Sequence, residues 1–231
     1  MLIGIIGAME IEVKGLTTTM DHPEVEMISS IKYYRGKLHG CECVIAQAGV
    51  GKVNAAVCAQ TMVLRYAPDA IINIGVAGGL DPKLNTGDIA IADRVAEHDM
   101  DTTPLGDAPG FITGLDRVYM DCDQKLAESL YEAACKTAVH TVKKGVIASG
   151  DQFIASDKQR RQIIEHFGAI AAEMEGASIG HVCTMNRIPF GVMRAISDNA
   201  DGSSTMDFPA FAELAAKNSI EIVFNLLKEL A

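Results

Sequence analysis

Five ionisable side chains, Glu12, Glu173, Glu175, Arg194 and Asp198, stand where short apolar runs end. Glu12 follows the run 2–7, Glu173 and Glu175 follow 170–173, and Arg194 and Asp198 close the run 189–196. One such carboxylate reads as a solvated surface acid or a helix cap. Carboxylates after three separate runs, joined by one arginine, point instead to a general acid–base site at one edge of a sheet. Turns rich in glycine lie at the same ends: Ala48-Gly49-Val50-Gly51-Lys52, Asn73-Ile74-Gly75-Val76-Ala77-Gly78-Gly79 and Ser149-Gly150-Asp151.

Other chemistries fit these residues poorly. Gly51-Lys52 resembles the end of a phosphate-binding loop, but that motif needs Gly where Ala46 stands and Ser or Thr where Val53 stands. The glycines at 4, 7, 75, 78 and 79 never form GxGxxG, so a dinucleotide fingerprint is missing too. The cysteines at 41, 43, 58, 122, 135 and 183 form no CxxC and have no histidine at ligand spacing. They read as reduced, mostly buried thiols. His98, Asp99 and Asp101 share a stretch with Pro104 and Gly106 and read as a polar surface loop, so no metal site is expected.

The elements that must position these groups alternate. Strands are expected over 2–7, 28–38, 42–47, 70–75, 88–93, 141–149, 170–173 and 189–196. Helices are expected over 11–20, 52–66, 123–138, 157–167, 176–186 and 207–230. Residues 97–121, rich in Asp, Gly, Pro and Thr, read as one long loop, and 198–205 as a polar loop. With no repeat or linker, this order predicts a single α/β domain over 1–231, with helices on both faces of a mixed sheet. Ligands of such sheets bind beyond the carboxyl ends of strands, which is where the carboxylates fall.

Composition sets the outer limits. The chain has 231 residues, 48% hydrophobic and 22% charged, which excludes a disordered chain. The net charge of −10 argues against nucleic acid and leaves no basic patch for a membrane surface. No apolar run approaches the roughly 20 residues of a membrane span. The start Met-Leu-Ile-Gly-Ile-Ile-Gly-Ala-Met-Glu has no basic segment and reads as a core strand, not a signal peptide. A cytoplasmic protein is expected.

Taken together, the motifs resemble those of the 5′-methylthioadenosine/S-adenosylhomocysteine nucleosidase family. Gly4-Ile5-Ile6-Gly7-Ala8-Met9-Glu10 with Glu12 is similar to its first loop, and 73–79 to its glycine turn. Ser149-Gly150-Asp151-Gln152-Phe153-Ile154 resembles its adenine loop. Glu173-Met174-Glu175 and Arg194-Ala195-Ile196-Ser197-Asp198 resemble its ribose and base motifs. Each is modest alone; five in register across the chain are specific. The resemblance implies a three-layer αβα sandwich of the nucleoside phosphorylase type, a homodimer, a small nucleoside substrate and no cofactor. It also implies hydrolysis of the bond between adenine and a 5′-thioribose. Val50, Met62 and Leu105 are the apolar residues expected to pair two subunits.

Residue by residue, the resemblance makes Asp198 the acid at purine N7 and Glu12 the base for water. Arg194 holds the water and the carboxylates, and Glu175 anchors the ribose hydroxyls. Phe153 stacks on adenine and Ile154 reads the base edge through its backbone. Met174 lies under the ribose, Gly78 allows close approach, and Ser197 joins the substrate-binding set. Met9, Val50 and Phe208 line the apolar end. Glu173 is either a further site group or a local hydrogen-bond partner.

A phosphorylase of this fold would need donors for a phosphate dianion. Glu10 and Glu12 in the first loop would repel it, and the glycine turn carries no Arg and no hydroxyl, so water is the expected nucleophile. Two departures from the family pattern concern the ribose and 5′ ends. Val76 stands where Ser is frequent, and the loop after Thr102 lacks the usual aromatics, for which Leu105, Phe111 or Ile112 are the candidate replacements. Methylthioadenosine, S-adenosylhomocysteine, 5′-deoxyadenosine and a futalosine-like nucleoside remain open as substrates in that order. A phosphorylase or a non-catalytic adenosine-binding protein is the alternative.

Overall fold

The apolar run Leu2–Gly7 forms strand β1, buried at every position after the first. A strand apolar on both faces belongs inside a sheet covered on both sides. The computed structural model describes residues 1–137, 141–198, 200 and 208–230, the side chains of 208–210 excepted. After β1 come α1 (Glu10–Thr19), β2 (Asp21–Ile28), β3 (Ile31–Leu38), β4 (Cys41–Gln47) and α2 (Lys52–Tyr66). Then follow β5 (Ala70–Asn73), β6 (Val76–Gly79), β7 (Ile89–Glu97), a single 3₁₀ turn at Thr103–Leu105, β8 (Tyr119–Asp121) and α3 (Gln124–Thr137). The chain continues through β9 (Val142–Ser149), α4 (Asp157–Phe167), β10 (Ala169–Glu173), α5 (Gly176–Asn186), β11 (Phe190–Asp198) and α6 (Phe208–Leu230).

The strands form one mixed 11-stranded sheet in the order β2-β3-β4-β1-β5-β11-β6-β10-β9-β7-β8. β1 runs parallel to both β4 and β5. β11 is shared: its first residues run parallel to β5, its last parallel to β6, and its middle antiparallel to β7. The extra β11–β7 pairing closes β11, β6, β10, β9 and β7 into a ring. Helices cover both faces. Ala55, Cys58, Ala59 and Met62 of α2 share one apolar cluster with Ala177, Ile179 and Val182 of α5. On the other face Val13 and Leu16 of α1 join Leu126 and Leu130 of α3 and Val223 and Leu226 of α6. This is the expected mixed sheet between two helical layers.

Helix ends follow local chemistry. α4 starts at Ser156, whose side chain accepts from the Gln159 N–H, and stops at Gly168 in the left-handed region. α2 stops at Ala67, also left-handed, just before Pro68.

Three differences from the sequence reading have physical causes. β2 was not expected, because Asp21–Ile28 is largely exposed and polar; it is an edge strand held by β3 alone. The glycine turn at 76–79 is itself a strand, β6, drawn into pairing by β10 and β11 despite its weak intrinsic preference. The expected long loop 97–121 holds the end of β7, the 3₁₀ turn and β8. Thr103 N and Oγ1 both donate to Asp101 Oδ1, at 2.9 and 2.7 Å, which fixes the entry to that turn. The expected loop 198–205 lies, apart from Asp198 and Ala200, outside the described residues.

Met62 is a correction. It is fully buried beneath β1 within its own subunit, so it cannot pair two copies. All six cysteines are free, five of them buried and Cys135 exposed. Among the described residues no helix is long and apolar enough to cross a membrane. Met62→Ala should lower unfolding free energy by about 2–5 kcal/mol, as a buried large-to-small change does. Urea denaturation checks this, and a loss under about 1 kcal/mol would mean that the neighbours collapse into the space.

Candidate active site

Glu12 occupies the third position of α1, where backbone N–H groups have no helical partner. Its carboxylate turns back to take them. Oε2 accepts from Ala8 N at 2.7 Å and Met9 N at 2.8 Å, and Oε1 accepts from Val76 N at 3.2 Å. The residue is 2% exposed. Burial raises its pKa, and the three N–H bonds and the Arg194 charge offset only part of that. Gly75 passes so close that an added Cβ would lie 2.6 Å from Glu12 Oε1.

At the end of β10 the two glutamates separate in role. Glu173 accepts from Gly176 N at 2.8 Å, Glu175 N at 3.1 Å and Arg194 Nε at 3.1 Å, and also from Ser149 Oγ and Arg194 Nη2. Its capacity is spent inside the protein, which makes it the local hydrogen-bond partner. Glu175, first residue before α5, is 6% exposed. Its Oε1 accepts from Gly51 N at 2.9 Å, and its Oε2 lies 3.9 Å from Arg194 Nη2. Burial, then the negative charge of Glu173, pushes its pKa up to about 7.

Arg194 is 1% exposed. Besides Glu173 it donates from Nη1 to Met193 O at 3.0 Å and from Nη2 to Asn73 Oδ1. It stands behind the wall of the cavity rather than on it. Its guanidinium is engaged by Glu173, Asn73 and the Met193 carbonyl and lies near Glu175. Asp198 closes β11, 6% exposed, and accepts from Ser197 Oγ and Ala200 N, both at 2.8 Å.

These groups meet in one pocket, a space of about 740 Å3 counted with its open mouth. Glu12, Glu175 and Asp198 are on its wall, with Gly78, Ser197 and Met174. Met9, Val50, Phe153 and Ile154 line it as well. Val50 and Phe153 are about half exposed at the mouth, while Ile154 is buried. An added Cβ on Gly78 would lie 3.2 Å from Asp198 Oδ1, so that glycine makes room for the carboxylate itself. The Phe208 side chain lies outside the described residues. Sequence reasoning did not single out Ala8, Ala77, Gln152 or Ala172, which also line the cavity. Ala8, Ala77 and Gln152 fall inside the motifs at 4–10, 73–79 and 149–154, whereas a small residue such as Ala172 leaves no pattern of its own in a sequence. No group of His, Cys, Asp and Glu suited to a metal ion occurs among the described residues.

A carboxylate-walled pocket at strand ends of such a sheet defines a class, and the family model described as the phosphorylase superfamily matches residues 2–228. A Staphylococcus saprophyticus relative named 5′-methylthioadenosine/S-adenosylhomocysteine nucleosidase is 41% identical over 228 residues, 98% of this chain and 99% of that one. The solved Neisseria meningitidis nucleosidase of the same name, in complex with methylthio-immucillin-A, is 36% identical with a TM-score of 0.95, covering 99% of each chain. Futalosine hydrolase of Helicobacter pylori is 33% identical with a TM-score of 0.93, covering 99% of this chain and 97% of that one. The chain belongs to the 5′-methylthioadenosine/S-adenosylhomocysteine nucleosidase family of the phosphorylase superfamily.

The raised pKa of Glu175 has a measurable consequence. Folded Glu175 holds its proton more tightly than the unfolded chain does, so the stability this contributes is full below the ordinary glutamate range and lost as pH rises through about 7. Glu175→Gln should therefore gain thermal stability on the wild type between about pH 5 and about pH 8, by on the order of 3 kcal/mol at most. Melting curves that stay parallel across that window would show that Glu175 titrates as an exposed glutamate.

Proposed function

We propose that this chain, as a single catalytic domain, hydrolyses the adenine–ribose bond of 5′-methylthioadenosine and S-adenosylhomocysteine. One observation carries the choice of water over phosphate. The N–H groups of Ala8, Met9 and Val76 would make an anion site at the start of α1, but the Glu12 carboxylate already fills it. The pocket wall carries Glu12, Glu173, Glu175 and Asp198 and, among the described residues, no Lys, Arg or His. A phosphate dianion would face four acids there.

Cleavage sends the electron pair of the C1′–N9 bond to the purine. Asp198 gives a proton to N7, so adenine leaves neutral and the ribosyl group carries the positive charge. Glu175 holds the ribose hydroxyls, and its negative charge opposes that cation. Water adds at C1′ and passes its proton to Glu12, whose burial suits it to a base. The result is adenine and the 5′-thioribose, with both carboxyl groups reset by solvent. An ionised aspartate must first be protonated, at about 4 kcal/mol for an unperturbed group at neutral pH. Ser197 and the Ala200 N–H orient Asp198 for that task.

The apolar side chains of Met9 and Val50 suit a thioether at the 5′ end. The futalosine hydrolase likeness supports a second reading, in which the 5′ substituent is a larger futalosine-type group. For assembly, Val53, Val57 and Leu64 on α2, with Val50 and Leu105, leave exposed apolar side chains that a second copy would cover in a cytoplasmic homodimer. Sedimentation at two chains per particle is expected, and one chain per particle would undo the dimer.

Purified protein mixed with methylthioadenosine in phosphate-free buffer should release adenine at a rate that added phosphate leaves unchanged. Ribose 1-phosphate among the products would overturn hydrolysis. Asp198→Asn and Glu12→Gln should each lower kcat at least about 100-fold. Near-normal turnover in either variant removes that residue from the mechanism. Running S-adenosylhomocysteine, 5′-deoxyadenosine and futalosine in parallel ranks the 5′ preference.

A further inference from the structure

Lys52 takes no part in the chemistry above, yet it is tied into the structure at both ends. Its Nζ donates to Asp99 Oδ1 at 2.7 Å and to Glu97 Oε2 at 3.0 Å, at the end of β7 and just beyond it. Its backbone N–H donates to Asp151 Oδ1 at 2.7 Å, and the Asp151 N–H donates to the other oxygen of Asp99 at 2.8 Å. The links therefore close a ring that begins and ends on Lys52. Its carbonyl accepts from Ser178 Oγ of α5 at 2.7 Å. The ammonium is four-fifths buried. Burial works against its charge, but the hydrogen bonds to Asp99 and Glu97 outweigh it and raise the pKa. Burial likewise works against Glu97, and its bonds to His181 and Lys52 hold it below the usual range.

The ring touches both ends of the pocket. Asp151 opens the segment whose Gln152, Phe153 and Ile154 line the base end. Gly51, next to Lys52, gives its N–H to Glu175 at the ribose end. Gly51 has φ +97°, and a Cβ there would lie 2.9 Å from Asp151 Oδ1, so the Gly51 backbone packs directly against that carboxylate. Each wall alone has other supports. Their spacing relative to one another is set by the Lys52 N–H bond to Asp151, and the links from Lys52 Nζ through Asp99 to Asp151 brace that bond.

We infer that Lys52, acting through Asp99 and Asp151, is a positioning residue that sets the distance between the base-binding segment 151–154 and the ribose anchor Glu175. The inference rests on the nucleosidase reading, because that spacing matters most for a ligand that spans both ends. Free adenine occupies one end only, so it separates a spacing role from general loosening of the fold.

Four proteins decide the matter: wild type, Lys52→Met, Lys52→Arg and Asp99→Ala. Lys52→Met and Asp99→Ala should lose at least about tenfold in kcat/KM for methylthioadenosine, while inhibition by adenine stays within about twofold. Lys52→Arg keeps a cation against both carboxylates and should recover most of the loss. The acid limb of kcat/KM should also move to higher pH in Lys52→Met, because a weakened Gly51 N–H bond stabilises ionised Glu175 less. The groups facing that carboxylate from the neighbouring elements are Glu173, Arg194 and Glu12. Equal losses for nucleoside and adenine would overturn the inference, as would a Lys52→Met enzyme within about twofold of wild type. Hydrogen exchange needs no turnover and keeps the two readings apart. Faster exchange at the Gly51 amide and at 151–154, with the rest of α2 still protected, supports the ring even if wild type releases no adenine. Unchanged protection there overturns it, and covers the case in which one variant fails to fold, since Asp99→Ala breaks the ring from its other member.

Discussion

The buried pair of Arg194 and Glu173 holds the site together. The guanidinium comes from β11 and the carboxylate from β10, and both are almost wholly out of water. Bringing two charges into such a place is costly unless every remaining donor and acceptor is used. Here most are: Asn73 of β5, Ser149 of β9, the Met193 carbonyl and the first N–H group of α5 take part. One interaction thus joins four strands and one helix at their site-facing ends. It also leaves buried Glu175 beside the Glu173 carboxylate and 3.9 Å from Arg194; burial first, then Glu173, push its pKa up to about 7, and Arg194 offsets part of that.

The second constraint is competition for backbone donors. A helix start beside a glycine turn is a natural cradle for phosphate. In this chain the cradle holds a carboxylate from the helix itself. Placing Glu12 two residues beyond Glu10 does two things at once. It caps α1, and it puts a buried carboxylate with a raised pKa where an external anion would otherwise bind. A nucleophile that enters here must be neutral and must give up a proton, which describes water. Asp198, at the end of β11, lines the same cavity as Glu12.

The pocket is otherwise apolar, and that is part of its chemistry. The side chains of Ala8, Val76, Ala77 and Ala172 offer no hydrogen bonds that compete for the carboxylates. Low local polarity strengthens each remaining electrostatic contact and is the leading cause of the raised pKa values. Flexibility is confined by wiring to neighbours. The Asp151 N–H is tied to Asp99, just beyond β7, and the Glu175 carboxylate to Gly51 at the start of α2.

Much of this was legible in the residues themselves. The alternation of apolar runs with amphipathic stretches determines an α/β sheet, because buried strands must be apolar on both faces. The motifs around Glu12, Glu175 and Asp198 mark the chemistry, since short-range order places them at strand ends. Three things were decided only in three dimensions. Asp21–Ile28 and Val76–Gly79 become strands through long-range pairing that overrides their local preferences. Glu173 and Glu175, two residues apart and both at the pocket wall, differ in how far Arg194, Ser149 and Gly51 tie up their oxygens. Lys52, set aside when the phosphate-loop motif failed, is given work by Asp99 and Asp151, which lie 47 and 99 residues further along the chain. A sequence specifies which groups exist; which donor meets which acceptor depends on packing, because burial leaves each polar atom few partners and the fold chooses among them.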